Sequence, residues 1–298
     1  MSRSSLQHWF PILAVLGSVT ALALGTSYAK QLFPIIGAQG TSALRVGFSA
    51  LIVLSFWRPW RWQLNRRDAG AILRYGIVLG CMNLMFYMAI RTIPFGVAVA
   101  IEFCGPLAVA LWSSRRWTNY VWAAFAVLGL SMLLPLHTGG QRLDPTGVAF
   151  AFGAAICWGA YIVFGKRASH LHSGHVVSLG LLAAALIVMP VGVAHAGMAL
   201  LDPTILAMGL VAALVSSAIP MSLEMYALKH LPKETFGIMT SVEPAIAAMI
   251  AWPLLGERLS SQQWLAIMCT VVAAAGAAMT ARREPAGAAQ PDEVSQNA

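Results

Sequence analysis

Ala89-Ile90-Arg91-Thr92-Ile93-Pro94 and, 138 residues later, Ala227-Leu228-Lys229-His230-Leu231-Pro232 are two versions of one pattern. Eleven residues follow each, mostly small and apolar in the first case, and then comes a second proline, Pro106 or Pro244. Each of these stretches carries a glutamate, Glu102 in one and Glu243 in the other. An internal repeat that places prolines and carboxylates at matched depth in hydrophobic runs is the signature of a secondary transporter built from two halves.

Composition agrees. Of 298 residues, 58% are hydrophobic and 10% charged, where a soluble domain carries about 25% charged residues. Mean hydropathy is +0.72. Too little polar surface remains to keep a globule in solution. Runs of roughly 18 to 22 apolar residues, the length that crosses a hydrocarbon core of about 30 Å, recur along the chain. Ten are placed, at about 9–29, 38–57, 71–90, 95–112, 119–136, 147–165, 174–194, 204–226, 236–254 and 261–281. The chain is read as an all-α integral membrane protein with ten transmembrane helices. The first run follows Arg3 as a signal peptide would, but no small-residue cleavage site follows Ser27-Tyr28-Ala29-Lys30, so it is expected to be retained.

Charge orients the bundle. With a cytoplasmic N-terminus, the cytoplasmic segments hold Arg3, Arg58, Arg61, Arg66, Arg67, Arg74, Arg115, Arg116, Lys166, Arg167, Lys229, Lys233, Arg282 and Arg283. The opposite side holds only Lys30, Arg91, Arg142 and Arg258, and Arg45 lies inside a span. This positive-inside bias puts both termini in the cytoplasm and accounts for the net charge of +8 without a nucleic-acid partner. Spans one to five (residues 1–140) and six to ten (141–283) form the halves, divided near residues 137–145; residues 284–298 form a tail expected to be disordered and cytoplasmic. Five is odd, so the second half enters the membrane from the other side and the repeat is inverted.

The paired turns, Glu243-Pro244 and Leu255-Gly256-Glu257 resemble the EamA-type repeat of the drug/metabolite transporter superfamily. Closer likeness runs through Ala98 to Ala110, Ser113-Ser114-Arg115-Arg116, Pro220 to Met225 and Thr235 to Glu257, which resemble the bacterial threonine/homoserine exporters of the RhtA type. The resemblance covers roughly residues 9–282. It implies export of threonine and homoserine, with related small amino acids, across a bacterial inner membrane. Leu24-Gly25 stands where the second half has Trp158-Gly159, so the repeats have diverged.

A carboxylate near the bilayer centre costs roughly 2.5–3.5 kcal/mol on insertion scales. Three lie in spans: Glu102 midway along span four, Glu224 toward the cytoplasmic end of span eight and Glu243 midway along span nine. Each suits a proton carrier or a ligand for a substrate ammonium; the alternative is a structural hydrogen bond between helices. Arg45, the one cation well inside a span, pairs either with one of these glutamates or with a substrate carboxylate. Pro106, Pro244 and Pro220 withdraw helical donors and leave carbonyls for a cavity, unless they serve only as packing kinks. Tyr87, Asn83, Trp158 and Tyr161 are candidates to line the pathway or to pack the bundle.

Cys81, Cys104, Cys157 and Cys269 read as small packing residues, and most tryptophans as interfacial anchors. Gly76-Ile77-Val78-Leu79-Gly80 reads as a close-packing GxxxG. His170, His172 and His175 read as solvated loop residues without acidic partners, not a metal site. No Walker A loop or HExxH is present, so no cofactor is expected. The functional expectation is a secondary exporter of threonine and homoserine working by proton antiport. A broad metabolite or drug efflux carrier is the alternative within transport. An intramembrane enzyme is disfavoured because the spans hold no mid-depth His.

Reporter tags at the N-terminus and after Ala281 are expected to read cytoplasmic, and a tag at Gly139 periplasmic. A cytoplasmic Gly139 would overturn the ten-span reading.

Overall fold

The computed structural model describes residues 3–61, 64–113, 117–133, 143–168, 170–230, 236 and 239–280. The Leu231-Pro232 turn, Arg115, Arg116, Arg142, Lys233, Arg282, Arg283 and the 284–298 tail lie outside these. All regular structure among the described residues is helical. The long helices are α1 (Arg3–Lys30), α2 (Phe33–Trp57), α3 (Arg66–Ala89), α4 (Phe95–Glu102), α5 (Cys104–Ser113), α6 (Trp117–Leu133), α7 (Pro145–Arg167), α8 (Ser173–Ala196), α9 (Pro203–Ala213), α10 (Ile219–His230), α11 (Glu243–Leu255) and α12 (Ser261–Thr280). Five stretches are long and apolar enough to cross a membrane as single helices: Phe10–Lys30, Phe33–Trp57, Arg66–Ala89, Pro145–Arg167 and Gly174–Leu201.

Spans four, eight and nine are not the continuous helices the hydrophobic runs suggest, and proline explains where they break. Span four divides into α4 and α5 at Phe103. Pro106 has no N–H to return to the carbonyl of Glu102, four residues back. Span eight passes from α9 through a π-helical turn, Leu214–Ala218, into α10; Pro220 withholds the donor that Ser216 would otherwise receive. In span nine α11 begins only at Glu243, after a turn at Ser241 and Val242. Pro244 withholds the donor for Thr240. Glu243 therefore stands at the start of a helix instead of midway along one.

Local chemistry sets the helix ends. The Asn65 side chain accepts the Asp68 N–H at 2.8 Å, Asp144 accepts from Thr146 and Gly147, and Asp202 from Thr204 and Ile205. Pro145 and Pro203 follow two of these caps at the first helical position, where a missing N–H costs nothing. The Thr92 hydroxyl, with the Thr146 and Gly147 amides, holds the Asp144 carboxyl below the usual carboxylate range. That cap contributes stability at neutral pH and loses it as pH falls through the lowered value. Gly256 closes α11 at φ +65°, a left-handed turn that aims Glu257 back at the bundle.

Helices approach closely where side chains are small. α2 runs along α8, α3 along α7 and α8, α1 along α10, α4 along α11, and α6 along α12. A Cβ at Gly76 would lie 2.5 Å from the Gly180 carbonyl oxygen, and one at Gly80 would lie 3.0 Å from Ala184, so the GxxxG is a close helix contact. Gly105 lies so near α7 that a Cβ there would overlap the Ala155 carbonyl. The largest buried cluster joins Ile90, Ile93 and Phe95 to Val97–Ile101, Ala247, Ala248 and Ile267. Trp60, Trp112, Trp117 and Trp252 are exposed near helix ends, as anchors should be. Trp57 and Trp264 are instead half-buried, Trp57 under His172 at 5.2 Å.

Gly105→Val is expected to abolish accumulation of folded protein, since the obstacle is backbone. Gly256 has nothing within 4 Å, so Gly256→Ala should cost only about 1–2 kcal/mol from the left-handed backbone. The amount of folded protein recovered from membranes reads the first and thermal unfolding in detergent the second, and equal tolerance of the two would contradict this packing.

Candidate functional site

Arg45 on α2 is the centre from which the site can be built. Its Nη1 donates to Asn83 Oδ1 on α3 at 2.6 Å, and its Nε to Ser216 Oγ at 2.8 Å. Its Nη2 donates to the Ser216 carbonyl at 3.3 Å. That carbonyl is the one Pro220 leaves without its ordinary helical donor, and the π turn presents it. Asn83 is oriented in turn by donating to the Leu79 carbonyl at 2.9 Å. The guanidinium carbon lies 5.5 Å from the centroid of the Tyr87 ring. None of these partners is anionic. No glutamate among the described residues forms an ion pair with Arg45, so the expected Arg45–glutamate pair does not form.

Arg45 opens onto a cavity of about 600 Å³, within the range of small-molecule sites, about 300–1,000 Å³. Glu102, Glu224, Glu243, Asn83, Pro106, Trp158 and Tyr161 line the same cavity, with Thr26, Phe86, Phe95, Phe103 and Thr240. Eight of the eleven residues singled out in the sequence thus meet in one space. Glu102 ends α4 and Glu243 begins α11, so both lie at chain breaks. Neither has a hydrogen-bond or ion-pair partner among the described residues. Glu224 differs, because Ser18 Oγ on α1 donates to its Oε1 at 2.8 Å. Trp158 meets Phe103 edge-on at 5.2 Å, and the Tyr161 and Tyr75 hydroxyls lie 3.0 Å apart.

Three singled-out residues do not line the cavity; Pro220 lies in α10, where its carbonyl accepts from Ser18 Oγ at 3.2 Å. Tyr87 is fully buried, its ring taken up by Arg45 on one side and Phe33 at 5.8 Å on another. Pro244 is buried behind Glu243 against the helices that pack on α11. The histidine reading also needs correction: His170 Nε2 reaches Asp68 of α3 at 3.2 Å, a partner 102 positions away that sequence proximity could not reveal. His172 meets Trp57 edge-on at 5.2 Å and lies tilted beside His175 at 4.8 Å. No metal-binding group occurs among the described residues, and the cysteines are free, with Cys269 buried.

Beside the cavity, at Phe95, three chain segments are tied together. Lys30 Nζ donates to Glu257 Oε1, and Glu257 Oε2 accepts the Phe95 N–H at 2.7 Å. One carboxylate therefore ties the ends of α1 and α4 to the turn after α11. Phe95 packs on Phe86 at 6.1 Å, and a Cβ at Gly96 would lie 2.5 Å from that of Ala248. Ser216, Thr26, Thr240 and this Lys30–Glu257 link were not among the residues the sequence singled out. The hydroxyls are the readable signal, polar groups in otherwise apolar runs. The link joins residues 227 positions apart.

The model of the EamA-like transporter family matches residues 145–279, the second half. The threonine/homoserine exporter RhtA of Salmonella typhimurium strain SL1344 is 46% identical over 284 residues, covering 95% of this chain and 96% of that protein. The exporter of the same name from Escherichia coli K12 is 46% identical over 276 residues, covering 93% and 94%. A solved crystal structure of a protein 20% identical matches with a TM-score of 0.55 over 95% of this chain and 99% of that one, a likeness of fold. The chain belongs to the EamA-like transporter family and is of its RhtA type.

Proposed function

We propose that this protein exports threonine and homoserine, with related small amino acids, from the cytoplasm across the bacterial inner membrane. The observation that carries the substrate class is 46% identity across nearly the whole chain to proteins of that name. The cavity is suited to the task. A zwitterion needs a cation for its carboxylate and an anion for its ammonium, both held away from water. Arg45, fixed by neutral partners, has charge to offer a carboxylate. Glu102 and Glu243, without partners of their own, have charge to offer an ammonium or a proton. Trp158, Phe103 and Tyr161 supply the wall for a short side chain.

Ten spans in two inverted halves, 1–140 and 141–283, remain the architecture this reading uses. The pairing of helices supports it. α3 against α7 has its counterpart in α10 against α1, and α11 against α1 in α4 against α7. α2 with α8, α4 with α11, and α6 with α12 are then pairs across the axis. Alternating access follows as a rocking of one half on the other. The Lys30–Glu257 link stands on the periplasmic side and parts when the substrate leaves. Proton antiport uses Glu102 and Glu243: a carboxylate that exchanges an ammonium for a proton keeps its cavity near neutral in both steps.

Glu102→Gln keeps the volume and removes the charge. Folded protein should stay near normal, since no partner is stranded. Uptake of labelled threonine into everted vesicles under a pH gradient should fall at least about tenfold, roughly 1.4 kcal/mol. Full uptake at normal protein levels would remove Glu102 from the mechanism, and resistance confined to dyes or antibiotics would favour a general efflux carrier. Separately, bridging a cysteine pair at Lys30 and Glu257 with a bifunctional thiosulfonate should stop export, and reduction should restore it. Undiminished export by the cross-linked protein would refute the gate.

A further inference from the structure

A second hollow, apart from the central cavity, lies where α3 begins and α7 ends. It measures about 360 Å³, and three arginines line it: Arg67 and Arg74 from α3, Arg167 from α7. None of the three has a carboxylate within ion-pair distance among the described residues. The one carboxylate in the hollow, Asp68, is engaged by His170 at 3.2 Å. Three guanidiniums crowded into one concavity repel each other, and an anion seated there removes that repulsion.

The remaining lining is apolar. Ala71 and Phe164 share the hollow with the arginines, and the Arg167 guanidinium lies 5.8 Å from the Phe164 ring centroid. Arg74 Nε donates to the Gly70 carbonyl at 2.9 Å, which turns its guanidinium back toward the start of α3. A cation on an apolar span does this when its charge belongs at headgroup depth and its stem in hydrocarbon. The surroundings mark the same depth. Trp60 is exposed in the short turn after α2, and Leu73 and Val163 are exposed apolar residues near the hollow on α3 and α7.

We propose that this hollow between α3 and α7 binds the phosphate headgroup of an anionic phospholipid, such as phosphatidylglycerol. Paired guanidiniums match the oxygens of a phosphodiester, and the apolar lining accepts the glycerol and upper acyl chain. A soluble phosphate would use the arginines but leave Phe164 and Ala71 without a partner. The bound lipid joins the two helices that carry Tyr75 and Tyr161, whose hydroxyls lie 3.0 Å apart, Tyr161 lining the central cavity. The inference is independent of which substrate that cavity carries.

The test uses the purified full chain in detergent, with lipid retention read by native mass spectrometry and protection by thermal unfolding. Phosphatidylglycerol should be retained and raise the melting temperature, whereas phosphatidylcholine and inorganic phosphate should not. Replacing Arg67, Arg74 and Arg167 by Gln should weaken retention about fivefold per guanidinium. If that triple variant fails to fold, Arg74→Gln alone should show its single fivefold loss. Arg58→Gln with Arg61→Gln, at the same end but outside the hollow, should leave retention unchanged. Equal retention of the two lipids, or unchanged retention in Arg74→Gln, would overturn the proposal. So would an equal loss in the Arg58/Arg61 variant, which would mean diffuse charge, and full protection by inorganic phosphate, which would mean a soluble-anion site.

Discussion

A guanidinium held inside an apolar bundle must be satisfied by the protein itself, and the architecture around Arg45 follows from that requirement. Lipid supplies no acceptors at that depth, so α3 offers Asn83 and the segment joining α9 to α10 offers both oxygens of Ser216. The Ser216 carbonyl is available because Pro220 cannot donate to it and the helix opens into a π turn there. Tyr87, fully buried, gives its ring face. All of this satisfies hydrogen bonding and leaves the charge uncompensated. An uncompensated cation beside a cavity that also holds three glutamates is an arrangement with a partner still to come.

The broken helices serve the same end. A continuous α-helix presents only side chains, whereas a break presents backbone carbonyls and turns a residue into a helix terminus. Glu102 ends α4, Glu243 begins α11, and each precedes or adjoins a proline that fixes the break. Around these breaks the helices are drawn together by Gly96 against Ala248 and Gly105 against Ala155. Rigid contacts next to interrupted helices suit a bundle that moves in blocks. The single carboxylate of Glu257, joining three chain segments beside the cavity, is a small contact for such a motion to break.

The residues that converge on the cavity were largely legible from the sequence, because intramembrane charge is costly and rarely accidental. Glu102, Glu224, Glu243, Arg45, Asn83, Pro106, Trp158 and Tyr161 announced themselves as polar, aromatic or helix-breaking groups in apolar runs. What stayed hidden was pairing across long separations. Neither Ser216 under Arg45, nor Ser18 beneath Glu224, nor Asp68 beside His170 can be placed by spacing alone. Tyr87 could be read from the sequence either as a wall residue or as packing, and its ring packs against Arg45 and Phe33 behind the wall. The repeat marked where spans four and nine carry prolines, but hydrophobic periodicity could not distinguish a kinked helix from two helices meeting at Phe103.

The central claim is that one cavity reads both charges of an amino acid, Arg45 the carboxylate and the glutamates the ammonium. Calorimetric binding to the unmodified purified protein tests it without any substitution in the bundle, using threonine, threonine amide and N-acetylthreonine as ligands. The account predicts that threonine binds and that each analogue, lacking one charge, binds at least about tenfold more weakly. Binding of either analogue as tightly as threonine would contradict it.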